Sequence, residues 1–388
     1  MRNSMVVLML VLGACGCRRS SSGPATEATA VGPADVASAA PSAPSKVVDV
    51  AGGNYNACAV TEDGRVWCWG RCGVACNGPG VPPPGGDTAS SPPLPVTGLT
   101  GARQVVVGDS FACALLADGA VRCWGSNWDG TFGKPAPERS YGTVQVPGVD
   151  GVVELAAAAR DMVCARREDG SVLAWGGEIL GHDRNPEQMA RRVPTPVREL
   201  AGAEALFTRW DGCCARTAAG ELRCWDGRVV ERDYVWNFEY TPAVPVGVPA
   251  GTVAVGDCDC VLAADRSLRC EAYGLPGALL ADGTNPPAPL LSCSIDRLED
   301  VALFFSTTGW GCAVLGDGRA VCWGDDQSGA PPVPLAVPGR VVKFAHTLMG
   351  ARFALNDAGE VWAWGENSEH GIPGRAERRV AEPVRILP

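Results

Sequence analysis

The segment Cys58-Ala-Val-Thr-Glu-Asp-Gly-Arg-Val-Trp-Cys68-Trp-Gly70 recurs as Cys113-Ala-Leu-Leu-Ala-Asp-Gly-Ala-Val-Arg-Cys123-Trp-Gly125. Both copies place an Asp-Gly pair between two short apolar runs, which is typical of a β-hairpin with a tight turn. If Cys58 pairs with Cys68, Thr61 pairs with Arg65 and a three-residue loop ending at Gly64 remains. Such a loop closes with a residue in the left-handed region, where glycine fits best. The segment therefore predicts a β-hairpin.

The same register returns seven times at a spacing of roughly fifty residues, which is the period of propeller blades. The later turns are Asp169-Gly170, Ala219-Gly220, Asp265-Arg266, Asp317-Gly318 and Ala358-Gly359. Six of the seven repeats keep the turn glycine, and the fifth has Arg266 there. Sheets this small need neighbours to cover their apolar faces. We predict an all-β protein, a seven-bladed β-propeller of four-stranded antiparallel blades.

The repeated cysteines predict five cross-strand disulfides. Counting outward from Thr61 and Arg65 puts Cys58 opposite Cys68 at a non-hydrogen-bonded position, where Cα atoms lie about 4.5 Å apart. Disulfides span Cα distances of roughly 4.4–6.8 Å. The predicted pairs are Cys58–Cys68, Cys113–Cys123, Cys214–Cys224, Cys260–Cys270 and Cys312–Cys322. Two further pairings stay open, Cys72–Cys76 and Cys258–Cys293, and no partner is assigned to Cys17, Cys164 or Cys213.

Strand alternation also divides the first hairpin into two faces. Val60, Val66 and both half-cystines share one face, and Ala59, Trp67 and Trp69 share the other. Because small and aromatic residues recur on that second face, we expect the repeated tryptophan to pack between blades rather than to bind a ligand.

Composition narrows the function classes. The chain has 388 residues and a formal net charge of −10, which disfavours nucleic acids and anionic lipid surfaces, since both attract cationic proteins. Its 18 cysteines stand beside three widely spaced histidines, so disulfides in an oxidising compartment explain them better than zinc sites do. Reduced cysteines buried in a cytosolic protein are the alternative. We expect no metal and no cofactor.

The N-terminus is typical of an exported protein. Arg2 precedes the apolar run Met5 to Leu12, which is too short to span a bilayer. The following Leu12-Gly13-Ala14-Cys15 resembles the lipobox of bacterial lipoproteins, in which cleavage exposes a cysteine that carries lipid. This resemblance implies a signal peptide over residues 1–14, lipidation of Cys15 and a place in the cell envelope, at the outer membrane or cell surface. An ordinary signal peptide with a coincidental cysteine is the alternative.

Two further segments complete the expected domain organisation. Residues 15–45 are rich in Ser, Ala and Pro and predict a disordered tether. Residues 46–388 contain all seven repeats and are assigned to the propeller.

The repeat resembles that of the regulator of chromosome condensation family. Blade two ends with the family's Trp-Gly and Asn turn, as Trp124-Gly125-Ser126-Asn127-Trp128-Asp129-Gly130-Thr131-Phe132-Gly133. The resemblance covers about residues 47–388 and implies a seven-bladed propeller. Residues 383–387 are similar to residues 95–99 but precede no eighth repeat. We therefore expect this C-terminal strand to pair beside the N-terminal strand near residues 46–50 and to close the ring.

The resemblance also suggests functions. Nuclear members of the family act as nucleotide exchange factors on a small GTPase, which a lipid-anchored, disulfide-bonded chain would not meet, so we do not expect guanine nucleotide exchange. The family histidine that precedes the cysteine position is replaced in every repeat, for example by Asn56 and Trp310. Secreted propellers that inhibit β-lactamases, which use one face as a protein-binding platform, are a closer functional analogue.

Three segments interrupt the repeats. Propellers bind partners through loops between strands, so these segments are candidate binding sites. An aromatic segment in blade four contains the candidate partner-binding residues Tyr234, Trp236, Asn237, Phe238 and Tyr240 and is typical of a contact loop. Packing over a neighbouring blade is the alternative. The other two segments are the proline-rich residues 71–95, which would also serve as a rigid spacer, and residues 275–296.

The functional hypotheses rest on these loops, because the sequence has no HExxH, Walker or GxSxG motif. We interpret the chain as a monomeric, non-enzymatic platform for an extracytoplasmic protein or, less well supported, a glycan. A hydrolase or lyase acting on polysaccharide in the channel is the alternative, since paired carboxylates need not be adjacent in sequence. A purely structural envelope role is the third.

Overall fold

β-Strands dominate the part of the chain that the computed structural model describes, namely residues 44–71, 91–109, 111–127, 132, 139–158, 162–176, 193–209, 212–232, 235–243, 252–255, 260–270, 295–307, 309–324, 331–368 and 371–388. They form seven four-stranded antiparallel sheets, each with its strands in chain order. The predicted seven-bladed propeller is confirmed. Within these residues the one helical element is a 3-10 turn, Arg198–Leu200. No helix found there is long and apolar enough to cross a membrane.

Each blade takes one strand from each of four sets. The inner strands, which line a central channel, are β1 Val47–Gly52, β5 Ala102–Val107, β9 Val152–Ala158, β13 Ala203–Arg209, β17 Thr252–Val255, β21 Val301–Thr307 and β25 Val341–His346. The second strands are β2 Asn56–Thr61, β6 Phe111–Leu116, β10 Met162–Arg167, β14 Gly212–Thr217, β18 Cys260–Ala263, β22 Trp310–Leu315 and β26 Ala351–Asn356.

The remaining two sets form the outer half of each blade. The third strands are β3 Val66–Gly70, β7 Val121–Ser126, β11 Val172–Gly176, β15 Leu222–Arg232, β19 Leu268–Cys270, β23 Ala320–Gly324 and β27 Val361–Glu366. The outer strands are β4 Ser91–Pro95, β8 Arg139–Gln145, β12 Thr195–Pro196, β16 Val235–Ala243, β20 Ile295–Leu298, β24 Val333–Pro334 and β28 Arg379–Leu387.

The hairpin between the second and third strands has the predicted register. Cys58 lies opposite Cys68 and Val60 opposite Val66. The turn residue Gly64 has φ of 76°, and Arg266, its counterpart in the fifth repeat, has φ of 67°. The fifth blade therefore keeps the same turn although its side chain makes the left-handed conformation less favourable.

Blades pack face to face through the two sides that alternation predicted. The side with Cys58, Val60 and Cys68 packs against Trp124 of blade two. The opposite side, with Ala59 and Trp69, packs against Phe353 of blade seven. Six such clusters, each spanning two neighbouring blades, make up the core among the described residues. The repeated tryptophan is core, as predicted, because Trp69 and Trp124 are at most 1% exposed.

A recurrent backbone hydrogen bond joins five of the seven turns to the next blade. The turn carbonyl accepts from the first residues of the following inner strand. The bonds are Ala102 N to Gly64 O (3.0 Å), Val152 N to Gly119 O (3.2 Å), Ala203 N to Gly170 O (3.0 Å), Val301 N to Arg266 O (2.8 Å) and Val47 N to Gly359 O (2.9 Å). This bond satisfies polar groups that the ends of the inner strands would otherwise leave unpaired.

The ring closes by the same contacts, which corrects the predicted pairing of the terminal strands. The C-terminal strand β28 is the outer strand of blade seven and pairs with β27, whereas β1 is the inner strand of blade one and pairs with β2. Residues 383–387 lie within the outer strand β28, and Pro95 is the last residue of the outer strand β4, so both similar segments include part of an outer strand. Blades seven and one are joined by side-chain packing and by the bond from Val47 to Gly359.

Six disulfides lie within the described residues. Five are the predicted cross-strand pairs, with Cα atoms 3.9–4.0 Å apart. The sixth joins Cys164 of blade three to Cys213 of blade four, with Cα atoms 6.6 Å apart. Cys164 faces Ala174 within its own hairpin. Cys213 occupies the position of Ala57, on the side that packs against the preceding blade. This position was the sequence signal that would have predicted the pair.

Candidate functional site

The disc has two different faces. The turn face carries the short connections between second and third strands and between successive blades, such as residues 62–65 and 96–101. The loop face carries the connections that follow the inner and the third strands. The latter span residues 71–90, 127–138, 177–194, 233–234, 271–294, 325–332 and 367–378. The loop face therefore receives the segments that vary most between repeats.

Polar groups on the turn face are satisfied by each other. Asp118, Asp169, Asp265 and Asp317 each accept a hydrogen bond from the backbone N–H two residues later, at 2.9–3.0 Å. In the first blade the Thr61 hydroxyl donates to Asp63 at 2.6 Å, and this bond, helped by Arg65, lowers the pKa of Asp63 to about 2. Such turns are locally complete and offer few unpaired groups to a partner.

On the loop face, the asparagine that follows the third strand hydrogen-bonds to a backbone N–H five residues later in blades two and seven. The Asn127 carboxamide oxygen accepts from Phe132 N at 2.7 Å, and that of Asn367 accepts from Ile372 N at 2.8 Å. Phe132 and Ile372 are buried. The asparagine of the repeat thus shapes the start of a loop and inserts an apolar residue beneath it.

The aromatic segment of blade four is a strand, which corrects the expectation of a contact loop. Trp236, Asn237, Phe238 and Tyr240 lie in β16, which pairs with β15 over nine residues. The third strand of other blades is much shorter, and β14 stops where Gly212 meets Asp226. The pairs beyond this point form a two-stranded ribbon, residues 227–232 with 235–240, that extends roughly 20 Å at 3.3 Å per residue. Tyr234 lies outside the described residues.

Strand alternation assigns the ribbon residues to two faces. Residues 236, 238 and 240 are two apart and share one face, and residues 237 and 239 share the other. One face of the ribbon therefore contains Trp, Phe and Tyr, the residue types that dominate binding hot spots.

The central channel contains a cavity of about 620 Å³ bounded by all seven inner strands. Its wall is largely apolar, with Phe207, Phe304 and Phe305 among the lining residues. Glu154 is the carboxylate among the described lining residues, and Arg166 pairs with it at 2.8 Å. Glycosidase chemistry needs two carboxylates across one substrate, so this wall gives no support to the polysaccharide-cleaving alternative.

Polar residues at the start of the inner strands join neighbouring blades. Asp49 is buried, accepts from Val105 N at 2.8 Å and pairs with Lys343. Gln104, at the equivalent place in blade two, accepts from Leu155 N at 2.8 Å and donates to Leu155 O at 2.9 Å. These contacts fasten blades seven, one, two and three around the channel. They were not predicted from the sequence because the partners are about fifty or more residues apart.

An aromatic cluster occupies the loop-face end of the channel at blades six and seven. The His346 ring lies 4.9 Å from Phe305 and 5.9 Å from Trp310. The Arg352 guanidinium lies 4.2 Å from the centre of Trp310, within cation–π range. Burial of the imidazole, together with the charge of Arg352, lowers the pKa of His346 to about 4. The histidine is therefore neutral at pH 7 and poorly suited to donate a proton there.

Other predicted sites fall outside the described residues. These are the lipidation site Cys15 and the cysteines Cys17, Cys72, Cys76, Cys258 and Cys293. Of the other two interrupting segments, the described parts are strand β4 and the start of strand β20. Within the described residues, no group of three or more His, Cys, Asp or Glu side chains is placed to hold a metal ion.

The first two blades match a known repeat. Residues 47–71 and 102–133, which run from the inner to the third strands of blades one and two, match the regulator of chromosome condensation (RCC1) repeat. These two blades are therefore similar to RCC1 repeats. Relatives of the chain include the mitochondrial RCC1 domain-containing protein RUG3 of Arabidopsis thaliana, 28% identical over 186 residues, which cover 46% of this chain and 42% of RUG3.

Two further relatives share about the same stretch. The ultraviolet-B receptor UVR8 of Arabidopsis thaliana is 28% identical over 40% of this chain and 36% of its own length. The human E3 ubiquitin-protein ligase HERC2 is 31% identical over 40% of this chain and 3% of its own length. The chain thus spans less than half of the length of these relatives.

Two solved structures match the chain at low sequence identity. The match to human WBSCR16 covers 89% of this chain and 82% of WBSCR16, with 17% identity and a TM-score of 0.47. The match to Prp20p of Saccharomyces cerevisiae covers 88% of this chain and 77% of Prp20p, with 16% identity and a TM-score of 0.46. The binding of Prp20p to Gsp1p and histones was studied with that structure.

Proposed function

We propose that this propeller is an exported, lipid-anchored platform that binds a partner protein on its loop face without catalysing a reaction. The observation that carries the proposal is the contrast between the faces. The turn face repeats one self-satisfied hairpin turn, whereas the loop face collects the dissimilar segments and the ribbon of blade four. Binding residues concentrate on variable loops that a rigid scaffold holds in place.

The proposed contact site is the ribbon face with Trp236, Phe238 and Tyr240, with Asn237 on the opposite face. Rigid aromatic residues contribute large contact area at low cost in conformational entropy. The partner we propose is an extracytoplasmic protein, since a ribbon that extends beyond the disc can reach a convex surface. A glycan is the less favoured ligand.

Export and anchoring rest on two features. The residues around Cys15 fit the lipobox, and residues 15–45 are the proposed tether that would hold the propeller away from the membrane. Six disulfides also suit an oxidising compartment, because thiols are kept reduced in the cytosol. The same compartment separates the chain from the nuclear GTPase on which family members act.

Affinity capture tests the platform. The full chain is used to capture proteins from an envelope extract and is compared with a Trp236→Ala, Tyr240→Ala double variant. Arg319→Ala, an exposed position on the turn face, is the matched control. We expect the double variant to lose its specific partner by at least tenfold while the control retains it. Equal capture by all three chains would remove the ribbon from the proposal.

Metabolic labelling tests the anchor separately. Cells expressing the full chain are fed radioactive palmitate, and the chain is isolated and counted. We expect the label to be incorporated and to disappear in Cys15→Ser. A label that persists in Cys15→Ser, or no label in the parent chain, would contradict lipidation at this cysteine.

A further inference from the structure

The outer edge of strand β16 differs from every other outer edge in the described residues. An outer strand exposes unpaired N–H and C=O groups, and proteins protect such edges by proline, irregular register or short length. Strands β12 and β24 have two residues each, and β4 contains Pro92, Pro93 and Pro95. Strands β8, β20 and β28 have shifted registers. Strand β16 pairs with β15 through nine residues without a shift.

The register shows which backbone groups of β16 face that edge. Arg232 and Val235 flank a two-residue connection and so form a hydrogen-bonded pair. Alternation makes residues 237, 239 and 241 bond to β15 as well, and it leaves the N–H and C=O groups of residues 236, 238 and 240 directed outward. Pro242, which has no N–H, occupies the next outward position, as expected for an edge strand.

From this edge we infer that two copies of the chain associate by pairing their β16 strands antiparallel about Phe238. This register uses the whole proline-free stretch, residues 235–241, and places the outward-facing residues 236, 238 and 240 in hydrogen-bonded pairs. It sets Trp236 opposite Tyr240 of the second copy and Phe238 opposite its own counterpart. Aromatic pairs across strands are stabilising, and Glu239 meets Asn237 rather than another carboxylate.

The symmetry of this contact is closed. Residue i meets residue j and j meets i, so a twofold axis passes through Phe238 and the assembly ends at two copies. The two ribbons would join into one four-stranded sheet in which the aromatic residues of both copies share a face. The contact is an assembly property and does not depend on the partner-binding proposal. It replaces the monomer expected from the sequence.

Two physical limits shape the expected affinity. A pairing of seven residues buries little area compared with a standard interface, so the dimer should be weak, with Kd on the order of 10 µM. Each copy carries a net charge of −10, so repulsion should decrease as salt screens it. Dimerisation should therefore strengthen when ionic strength rises.

Sedimentation velocity of the full chain, carrying Cys15→Ser to prevent acylation, tests the inference over a concentration series. We expect a monomer–dimer equilibrium that Phe238→Lys weakens roughly tenfold or more, because two lysines would then face each other across the axis. Val229→Lys is the matched control, since residue 229 pairs with 238 on the same ribbon face but lies in β15, away from the edge. It should leave Kd within about threefold.

The register has its own test at residue 237. Asn237→Lys would face Glu239 of the second copy and should tighten the dimer, and Asn237→Glu should weaken it, each by roughly fivefold. A single monomeric species up to about 200 µM would overturn the inference. Equal loss of the dimer in Phe238→Lys and Val229→Lys would also overturn it, because that result indicates packing of one ribbon face on another. No loss of the dimer in either of these two variants would overturn it as well.

The same variants keep the two proposals distinguishable. A Phe238→Lys chain that is monomeric but still captures its partner would uphold the inference while separating it from partner binding. If the parent chain captures its partner but stays monomeric at all concentrations, the platform proposal is supported and the dimer inference is contradicted.

Discussion

The turn face and the loop face of this propeller are built from the same strands but solve different problems. At the turns, side-chain oxygens such as those of Thr61 and Asp317 satisfy the turn itself, and in five of the seven repeats the carbonyl of the left-handed residue accepts a hydrogen bond from the next blade. On the loop face, segments of unequal length leave the strands, and one of them becomes a ribbon. The turn face therefore joins neighbouring blades, and the loop face is where the repeats of this chain differ most in length.

The largest loss of stability should come from removing the disulfide that joins two neighbouring blades. Replacing Cys164 and Cys213 with alanine removes a link between residues 49 apart, whereas replacing Cys113 and Cys123 removes a link between residues 10 apart. Loop-closure entropy predicts losses of about 4 and about 3 kcal/mol in the free energy of unfolding. Denaturant titration of the two oxidised variants measures this difference, and the reverse order would contradict the entropic account.

A methyl group added at a turn glycine should also destabilise the protein. A Cβ on Gly64 would lie 2.6 Å from Gly101 N of the next connection, and the residue has φ of 76°. Gly64→Ala should cost about 3 kcal/mol, from backbone strain plus the clash. Gly318→Ala is the control, with φ of 89° but nothing within 4 Å, and should cost about 1 kcal/mol. Equal losses in thermal melting would show that inter-blade approach is not what the turn requires.

The loop face has a smaller, pH-dependent effect at His346. Its pKa is about 4 in the folded chain and near 6.5 when unfolded, because burial and Arg352 disfavour the charged ring. The unfolded chain therefore binds more protons between these values, and stability falls as pH drops from 6.5 to 4. We expect His346→Phe to remove about 2 kcal/mol of this fall in urea titrations, which is less than the full pKa shift implies because the residue as a whole is half-buried. Parallel curves for the two chains would contradict it.

The smallest effect is expected at the exposed charges of the turn face. Asp317 accepts from Arg319 N at 3.0 Å and from its guanidinium at 2.6 Å, and these bonds lower its pKa. Because the pair is exposed, water screens it and its removal should be nearly neutral. Arg319→Ala should leave the melting temperature unchanged within error at pH 7. A clear decrease would show that the turn-face ion pairs help to close the ring.

The repeat itself was predictable because its information is local. The hairpin register, the turn glycine and the five cross-strand disulfides all follow from residues within eleven positions of one another, such as Cys58 to Cys68. The sixth disulfide was not predicted, since Cys164 and Cys213 belong to different blades. The placement of residues 383–387 failed for a related reason: the similarity to residues 95–99 was real, but similarity does not say which neighbour a strand pairs with.

The aromatic segment of blade four shows the same limit at the candidate site. Trp236, Phe238 and Tyr240 alternate with polar residues, which suits a strand as well as a loop. The pairing of β16 with β15, and the early end of β14, make this segment a two-stranded ribbon, and no further strand pairs with β16 among the described residues.

The amino-acid sequence alone determined the repeat, the number of blades, the hairpin geometry and the division of each blade into a cysteine side and a tryptophan side, since each follows from short-range alternation and turn chemistry. The tertiary structure decided how the ring closes, which distant cysteines meet, how Asp49 and Lys343 join across the first and last blades, and how far the outer strand of blade four extends. Those features depend on which blades become neighbours, and neighbourhood around a ring is fixed only when all seven blades pack together.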